Sequence, residues 1–321
     1  MIGRGLGLAA LALALAGCAA APDGPRAAAS STGRFELFVL GRAQDGGLPH
    51  VGCDRETCCA AARRTGRVET PACLGIHDRE TGALALIEAT PAVERQLALL
   101  HDLAGSRPRG RQPVDAVFLT HAHIGHYLGL AHFGREVAAT QGLPVYGTPR
   151  FLAFLRAHGP WQQLIDLGQI DPRPVEPKGS VELFGALTVE AIPVPHRDEY
   201  SDTVAYRIRG PERTVLFCPD VDAWGRHDGL LDQLLDGVDV AYLDATFYDG
   251  RELPERFRAE IPHPTMVDSM ERLGARAAAR LGSIRFLHLN HTNPAFHPGA
   301  IADSIRARGF GIAQVGERTV L

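Results

Sequence analysis

Apolar and polar positions alternate along most of this chain in short, strand-length stretches. "FELFVLG" (35–41) reads as a first strand that runs into the Gly-rich loop "GRAQDGGLPHVGC". A strand pair is expected around "CLGIHD" and "ALALIEA", then an apolar-periodic helix over 92–103. "PVDAVFLT" predicts a buried strand, "LPVYGTP" a short one, and 149–158 a helix, followed by an irregular stretch to Lys178. Close-spaced strands come next in "VELFG", "LTVEAIPV", "TVAYRIRG" and "RTVLFCPD". The last third alternates: "VDVAYLDAT", a helix over 264–281, "SIRFLHLN", a helix over 299–308, and a final strand near Phe310–Val315. No internal repeat interrupts this order. Strand clusters joined by crossover helices predict a layered α/β domain over 35–321.

The first residues lie outside that pattern. "MIGRGLGLAALALALAGC" has one basic residue, Arg4, then a short apolar run and small residues before Cys18. That is the form of a signal peptide over 1–17, too short to span a bilayer as a helix. Leu15-Ala-Gly-Cys18 resembles a bacterial lipobox, which implies cleavage before Cys18 and lipidation of its thiol. The alternative is a plain signal peptide with an incidental Cys18. Residues 18–34 are rich in Ala, Pro and Ser and read as a flexible tether. The expected protein is exported, facing the periplasm, and membrane-anchored through lipid.

Composition adds one exclusion. The 321 residues carry a formal charge of −4, and −5 once Arg4 leaves with the leader. An acidic balance without a basic arm disfavours nucleic acid as a partner.

The chemistry concentrates in "FLTHAHIGHYLGL". His121 and His123, at i and i+2 of an extended segment, can converge on one ion, and His126 falls in the first turn of a helix starting near Ile124. The cluster follows a buried strand, where open α/β sheets place ligands, and neutral imidazole suits zinc or iron. "HAHIGH" resembles the HxHxDH signature of the metallo-β-lactamase superfamily, except that Gly125 stands at the carboxylate position. The resemblance implies a four-layer αβ/βα sandwich with one or two metals at the sheet edges. It carries His196 of "IPVPHRDEYSDTVAYRI" to the first metal and Asp220 of "TVLFCPD" to a bridging position. His291 of "FLHLNHTNP" goes to the second metal, with His288 the alternate, and Asp244 with His263 to a proton relay.

The segments "THAHIGH", "PHRDEYSDTVAYRI", "CPDVDAW", "LDATFYDGREL", "NHTNP" and "VLGRAQDGGLPHVGC" together are similar to the family of pyrroloquinoline quinone biosynthesis protein B. Two departures stand out: the export signal, and His291 where that family typically has Asn. The resemblance implies a metal-dependent hydrolase using metal-bound water on a small ester, lactone, amide or phosphoester. An iron-dependent oxidase or hydroxylase acting on a quinone precursor, and a non-catalytic metal-binding lipoprotein, are the alternatives. One strong zinc site is expected from His121, His123, His196 and Asp220, with iron as the alternative ion. A weaker second ion is expected on His126, Asp220 and His291.

Cys53, Cys58, Cys59 and Cys73 are expected to hold a structural zinc, with disulfides the competing outcome in an oxidising compartment. Cys218 reads as a buried, inert thiol. Asp45 and His50 lie in the Gly-rich loop, which should border the metals in this fold; turn chemistry is favoured over substrate contact, and Asp198 and Glu199 read as solvated residues, with replacement of the missing carboxylate the alternative.

Overall fold

The computed structural model describes residues 33–254 and 263–321. The leader, Cys18 and most of the tether therefore lie outside the described residues. In chain order the strands are β1 (Phe35–Gly41), β2 (Cys73–Asp78), β3 (Leu84–Ile87), β4 (Ala116–Phe118), β5 (Leu143–Gly147), β6 (Ile170–Pro174) and β7 (Ser180–Leu183). They continue with β8 (Leu187–Pro193), β9 (Val204–Arg209), β10 (Thr214–Cys218), β11 (Val240–Asp244), β12 (Ile284–Leu287), β13 (Gly311–Ile312) and β14 (Arg318–Val320). The helices among the described residues are α1 (Cys59–Thr65), α2 (Val93–Ala104), α3 (Ile124–Tyr127), α4 (Pro149–Ala157), α5 (Gly159–Asp166), α6 (Leu230–Leu235), α7 (Met266–Ala279) and α8 (Ala300–Ala307).

The strands form two seven-stranded sheets, ordered β14-β1-β2-β3-β4-β5-β6 and β13-β12-β11-β10-β9-β8-β7. Side-chain alternation explains how they stack. Along β1, Leu37 and Val39 join a core shared with Tyr206, Val215 and Phe217 of the other sheet. Phe38 and Leu40 point the opposite way and pack with Leu100 of α2 and Phe151 and Leu155 of α4. A third core joins Leu216 and Leu243 to Leu234 of α6, Met270 of α7 and Ile305 of α8. Central strands covered on both faces read as near-continuous apolar runs, which is why "FELFVLG" and "TVLFC" are apolar almost throughout. The result is the four-layer αβ/βα sandwich of the metallo-β-lactamase type.

Helix starts follow local chemistry. Thr148 accepts a hydrogen bond from Phe151 N with Pro149 at the first helical position of α4, and Thr265 accepts from Asp268 N at the start of α7. The stretch expected to be irregular, up to Lys178, holds α5 and β6 instead. The "IDPRP" of β6 carries two prolines, and the strand lies at the sheet edge paired only to β5, where missing N–H donors cost nothing.

What places the site is strand direction. β3 and β4 run parallel, as do β10, β11 and β12. Parallel neighbours bring their carboxyl ends to one rim. Glu88 follows β3, His121 follows β4, Asp220 follows β10, Asp244 ends β11, and His288 follows β12.

Candidate metal centre

β4 ends at Phe118, whose ring stacks on Tyr146 at 4.5 Å and meets Tyr206 edge-on at 5.6 Å. The Tyr206 hydroxyl donates to Leu119 O, fixing the chain as it leaves the sheet. The next residues turn into α3 with His123 in extended conformation just before it. His121 Nε2 then lies 2.9 Å from His123 Nδ1, and His196 Nε2, from the segment after β8, lies 3.2 Å from the same atom. Asp220 approaches from the second sheet, with Oδ2 3.8 Å from His121 Nε2 and Oδ1 3.8 Å from His196 Nε2.

A second group adjoins the first. His126 Nε2 lies 2.8 Å from Asp220 Oδ2 and 3.1 Å from Asp45 Oδ1; His288 Nε2 lies 3.3 Å from both of those oxygens. Asp220 therefore adjoins both groups: Oδ2 faces His126, His288 and, at longer range, His121, while Oδ1 faces His196.

These spacings fit a cation. Ligand atoms about 2.0–2.1 Å from a tetrahedral ion are about 3.3–3.4 Å apart, and the separations above straddle that value. Of the atoms turned into the site, His126 Nε2 and Asp220 Oδ2 are buried without a hydrogen-bond partner. Although His126 Nε2 and Asp220 Oδ2 are close, they are not aligned as donor and acceptor. Buried polar atoms left unpaired in this way are costly unless something else binds them.

The protonation of the first group suits the same reading. Burial, with the neighbouring His126, holds the His121 imidazole well below its ordinary pKa, and burial brings His196 down to about 4. Both rings are neutral at pH 7, the form that ligates metal. Burial opposes ionisation of Asp220, yet His288 and His126 hold its carboxyl well below the usual range.

Supporting groups fix the rings from behind. Thr120 Oγ1 lies 2.8 Å from His121 Nδ1 and donates to Glu88 Oε1 at 2.6 Å. Glu88 Oε1 lies 3.3 Å from His126 Nδ1, Thr246 Oγ1 is 3.1 Å from His288 Nδ1, and Asp222 Oδ1 is 3.5 Å from His196 Nδ1. Such outer partners set the tautomer and orientation of a metal-binding histidine. Glu88 is fully buried with φ of 82°, a backbone conformation rare for non-glycine residues. Nothing in "ALALIEA" marks Glu88 as more than a strand-end acid. Asp45 also belongs to the site, where the sequence favours turn chemistry over a contact with the site. Its position beside metal-type histidines depends on a contact between chain segments far apart.

His263 and Asp244 come together as the resemblance implies. His263 Nδ1 lies 2.7 Å from Asp244 Oδ2 and 3.7 Å from Asp220 Oδ1. Burial works to lower the His263 pKa, but Asp244 overrides it and raises it to about 9.

Two other expectations are corrected. His291 is not in the second group; His288 occupies that place. His291 lies with Cys53, Cys58 and Cys59 in a four-ligand cluster whose ligand atoms are all within 4.8 Å of one another. The Sγ atoms of Cys53 and Cys58 are 3.6 Å apart, near the edge of about 3.8 Å that a tetrahedral zinc–thiolate site would have. Cys73 is not in this cluster. It is part of β2, fully buried, with its thiol on the carbonyls of Leu74 and Glu88 and pushed well above its ordinary pKa by burial. The spacing of the four cysteines cannot reveal the exchange, because the fourth ligand arrives from 200-odd residues downstream. The described cysteines are all free thiols, and Cys218 is buried as expected. Glu199 is not merely solvated, since its carboxylate lies 2.8 Å from His123 Nε2, while Asp198 accepts from Thr203 Oγ1.

Two facing mixed sheets with histidines and a shared aspartate at one rim define a protein of the metallo-β-lactamase fold, with ligand groups fit for one or two cations. The chain belongs to the β-lactamase superfamily, whose domain model matches residues 85–289. It is similar to coenzyme PQQ synthesis protein B of Methylobacterium radiotolerans, 26% identical over 310 residues that cover 88% of this chain and 98% of the relative. The protein of that name from Cupriavidus necator is 26% identical over 287 residues, covering 80% and 90%. Among solved structures, Zn2+-bound PqqB from Methylobacterium extorquens matches with a TM-score of 0.70 at 20% identity, covering 89% of this chain and 100% of that one. A diphosphatase of the PhnP family matches with a TM-score of 0.61 at 22% identity, covering 90% and 98%.

Proposed function

We propose that this protein is a metal-dependent hydrolase acting on a small molecule at a carbonyl or phosphoryl centre: an ester, lactone, amide or phosphoester. The observation that carries the reading is Asp220, one carboxylate within reach of His121 and His196 of the first group and of His126 and His288 of the second. On this reading His121, His123, His196 and Asp220 hold the first divalent cation. A bound cation of this kind lowers the pKa of water from about 15.7 toward about 7 and polarises a substrate oxygen.

The chain's own residues then account for the remaining tasks. Asp244 faces His263 Nδ1 at 2.7 Å and orients the ring as the proton donor to a leaving group. Thr120, Glu88, Thr246 and Asp222 hold the histidine rings in place. Cys53, Cys58, Cys59 and His291 hold a structural zinc that pins the long loop after β1 to the segment after β12. Similarity to coenzyme PQQ synthesis protein B supports a small-molecule substrate. The leader ending in Cys18 supports an exported, lipid-tethered protein, a reading that intact-mass analysis of membrane-extracted protein would test.

Elemental analysis of protein purified without added metal, paired with an ester, lactone and phosphodiester panel, tests the function. The expected result is zinc beyond the cysteine-bound ion and a turnover that His196→Ala abolishes. Iron with oxygen consumption, or bound metal with no turnover dependent on His196, overturns it.

A further inference from the structure

Gly125 sits inside α3, and its φ lies outside the positive region that favours glycine, so the backbone does not require glycine there. Space does. A β-carbon at this position would lie 2.3 Å from Asp45 Cγ, 2.4 Å from Asp45 Oδ1 and 2.5 Å from Asp45 Cβ. The volume in which a side chain of residue 125 would start is filled by the side chain of Asp45, and that side chain ends in a carboxylate. Its Oδ1 reaches His126 Nε2 and His288 Nε2 at 3.1 and 3.3 Å.

The carrier of Asp45 is not a loose loop. Leu289 N donates to Arg42 O and Gln44 N donates to Leu289 O, at 2.9 and 2.8 Å, so residues 42–44 run hydrogen-bonded beside the residues that carry His288. Gly47 N then donates to Gln44 O at 2.7 Å and closes a tight turn around Asp45. Asp45 and His288 are thus offered to His126 by two segments bonded to each other. A ligand is useful only when its position is set in this way.

We propose that Asp45 supplies, from the loop after β1, the carboxylate ligand that the histidine loop itself lacks, and that Gly125 is glycine in order to admit it. The second cation position is then complete, with Asp45, His126, Asp220 and His288 as ligands. This rests on the metal-binding reading above and adds to it that the second position is not weakened by Gly125. It also fixes the nature of the change at residue 125: the carboxylate is moved, not lost.

The test is an exchange of the two side chains, read by isothermal titration with Zn2+ and by metal-to-protein ratio, on full-length protein with its cysteine cluster intact. The unaltered protein is expected to take two ions beyond the one on the cysteines. Asp45→Asn should weaken the second of these more than tenfold and leave the first within threefold. The double variant Asp45→Gly with Gly125→Asp should recover the second ion to within tenfold of the original. A readout independent of metal accompanies it: Gly125→Ala should lower the Tm of metal-free protein, and adding Asp45→Gly should return most of the loss. Unchanged second-ion affinity in Asp45→Asn, or no recovery in the exchanged variant, overturns this proposal alone. No ion bound beyond the cysteine site in the unaltered protein overturns the metal reading and this proposal together.

Discussion

His288 and His291 are three residues apart on one loop, yet they face different clusters: His288 Nε2 lies 3.3 Å from Asp220 Oδ2, and His291 stands with Cys53, Cys58 and Cys59. One short segment after β12 therefore ties two potential metal positions together.

Single substitutions should separate them. His288→Ala is expected to remove the ion of the Asp45–His126–Asp220 group and leave the thiolate-bound zinc. His291→Ala should do the reverse, with a clear fall in Tm, because a closed structural zinc contributes directly to folding. Zinc release measured with a colorimetric chelator, with and without thiol blocking, distinguishes the two. Equal loss of the same ion from both variants would contradict the placement.

Glu88 touches His126 from behind, through the ring nitrogen that faces away from Asp45 and Asp220. Glu88→Gln retains the size and one acceptor but removes the charge. Removing such an outer partner typically weakens metal binding roughly 10–100-fold. The expected outcome is a loss in that range for the second ion in a folded protein, checked by competition with a chelator of known affinity while circular dichroism stays unchanged.

The His263–Asp244 pair predicts a pH dependence in metal-free protein. His263 has a folded-state pKa raised to about 9, against about 6.5 when unfolded. The proton stabilises the folded state fully below about pH 6.5, and that contribution, on the order of 3 kcal/mol, is lost as pH rises through about 9. Urea denaturation between pH 6 and 10 should show this decline, and Asp244→Asn should flatten it. An Asn variant with the same slope as the parent would remove Asp244 as the cause.

Phe118 connects the core to the site, packed against Tyr146 and Tyr206 two residues before Thr120. Phe118→Ala opens a cavity in a fully buried position and should cost about 3–5 kcal/mol of stability. Because the same strand delivers His121 and His123, metal affinity should fall along with it. Thermal unfolding with and without added zinc measures both effects.

The residues themselves determined a good part of this protein. Apolar runs such as "FELFVLG" and "TVLFC" marked strands, because backbone periodicity acts within a few residues. His121, His123 and His126 were legible for the same reason: their spacing in the chain is their geometry. Tertiary structure alone decided the rest. Asp45 became a neighbour of His126 and His288 only when the loop after β1 was hydrogen-bonded beside Leu289. His291 replaced Cys73 beside the other thiols because β2 buries Cys73 within its sheet while the turn after β12 carries His291 to the loop. Coordination depends on where side-chain atoms meet in space, and when the partners lie hundreds of residues apart, only the pairing of strands sets that distance.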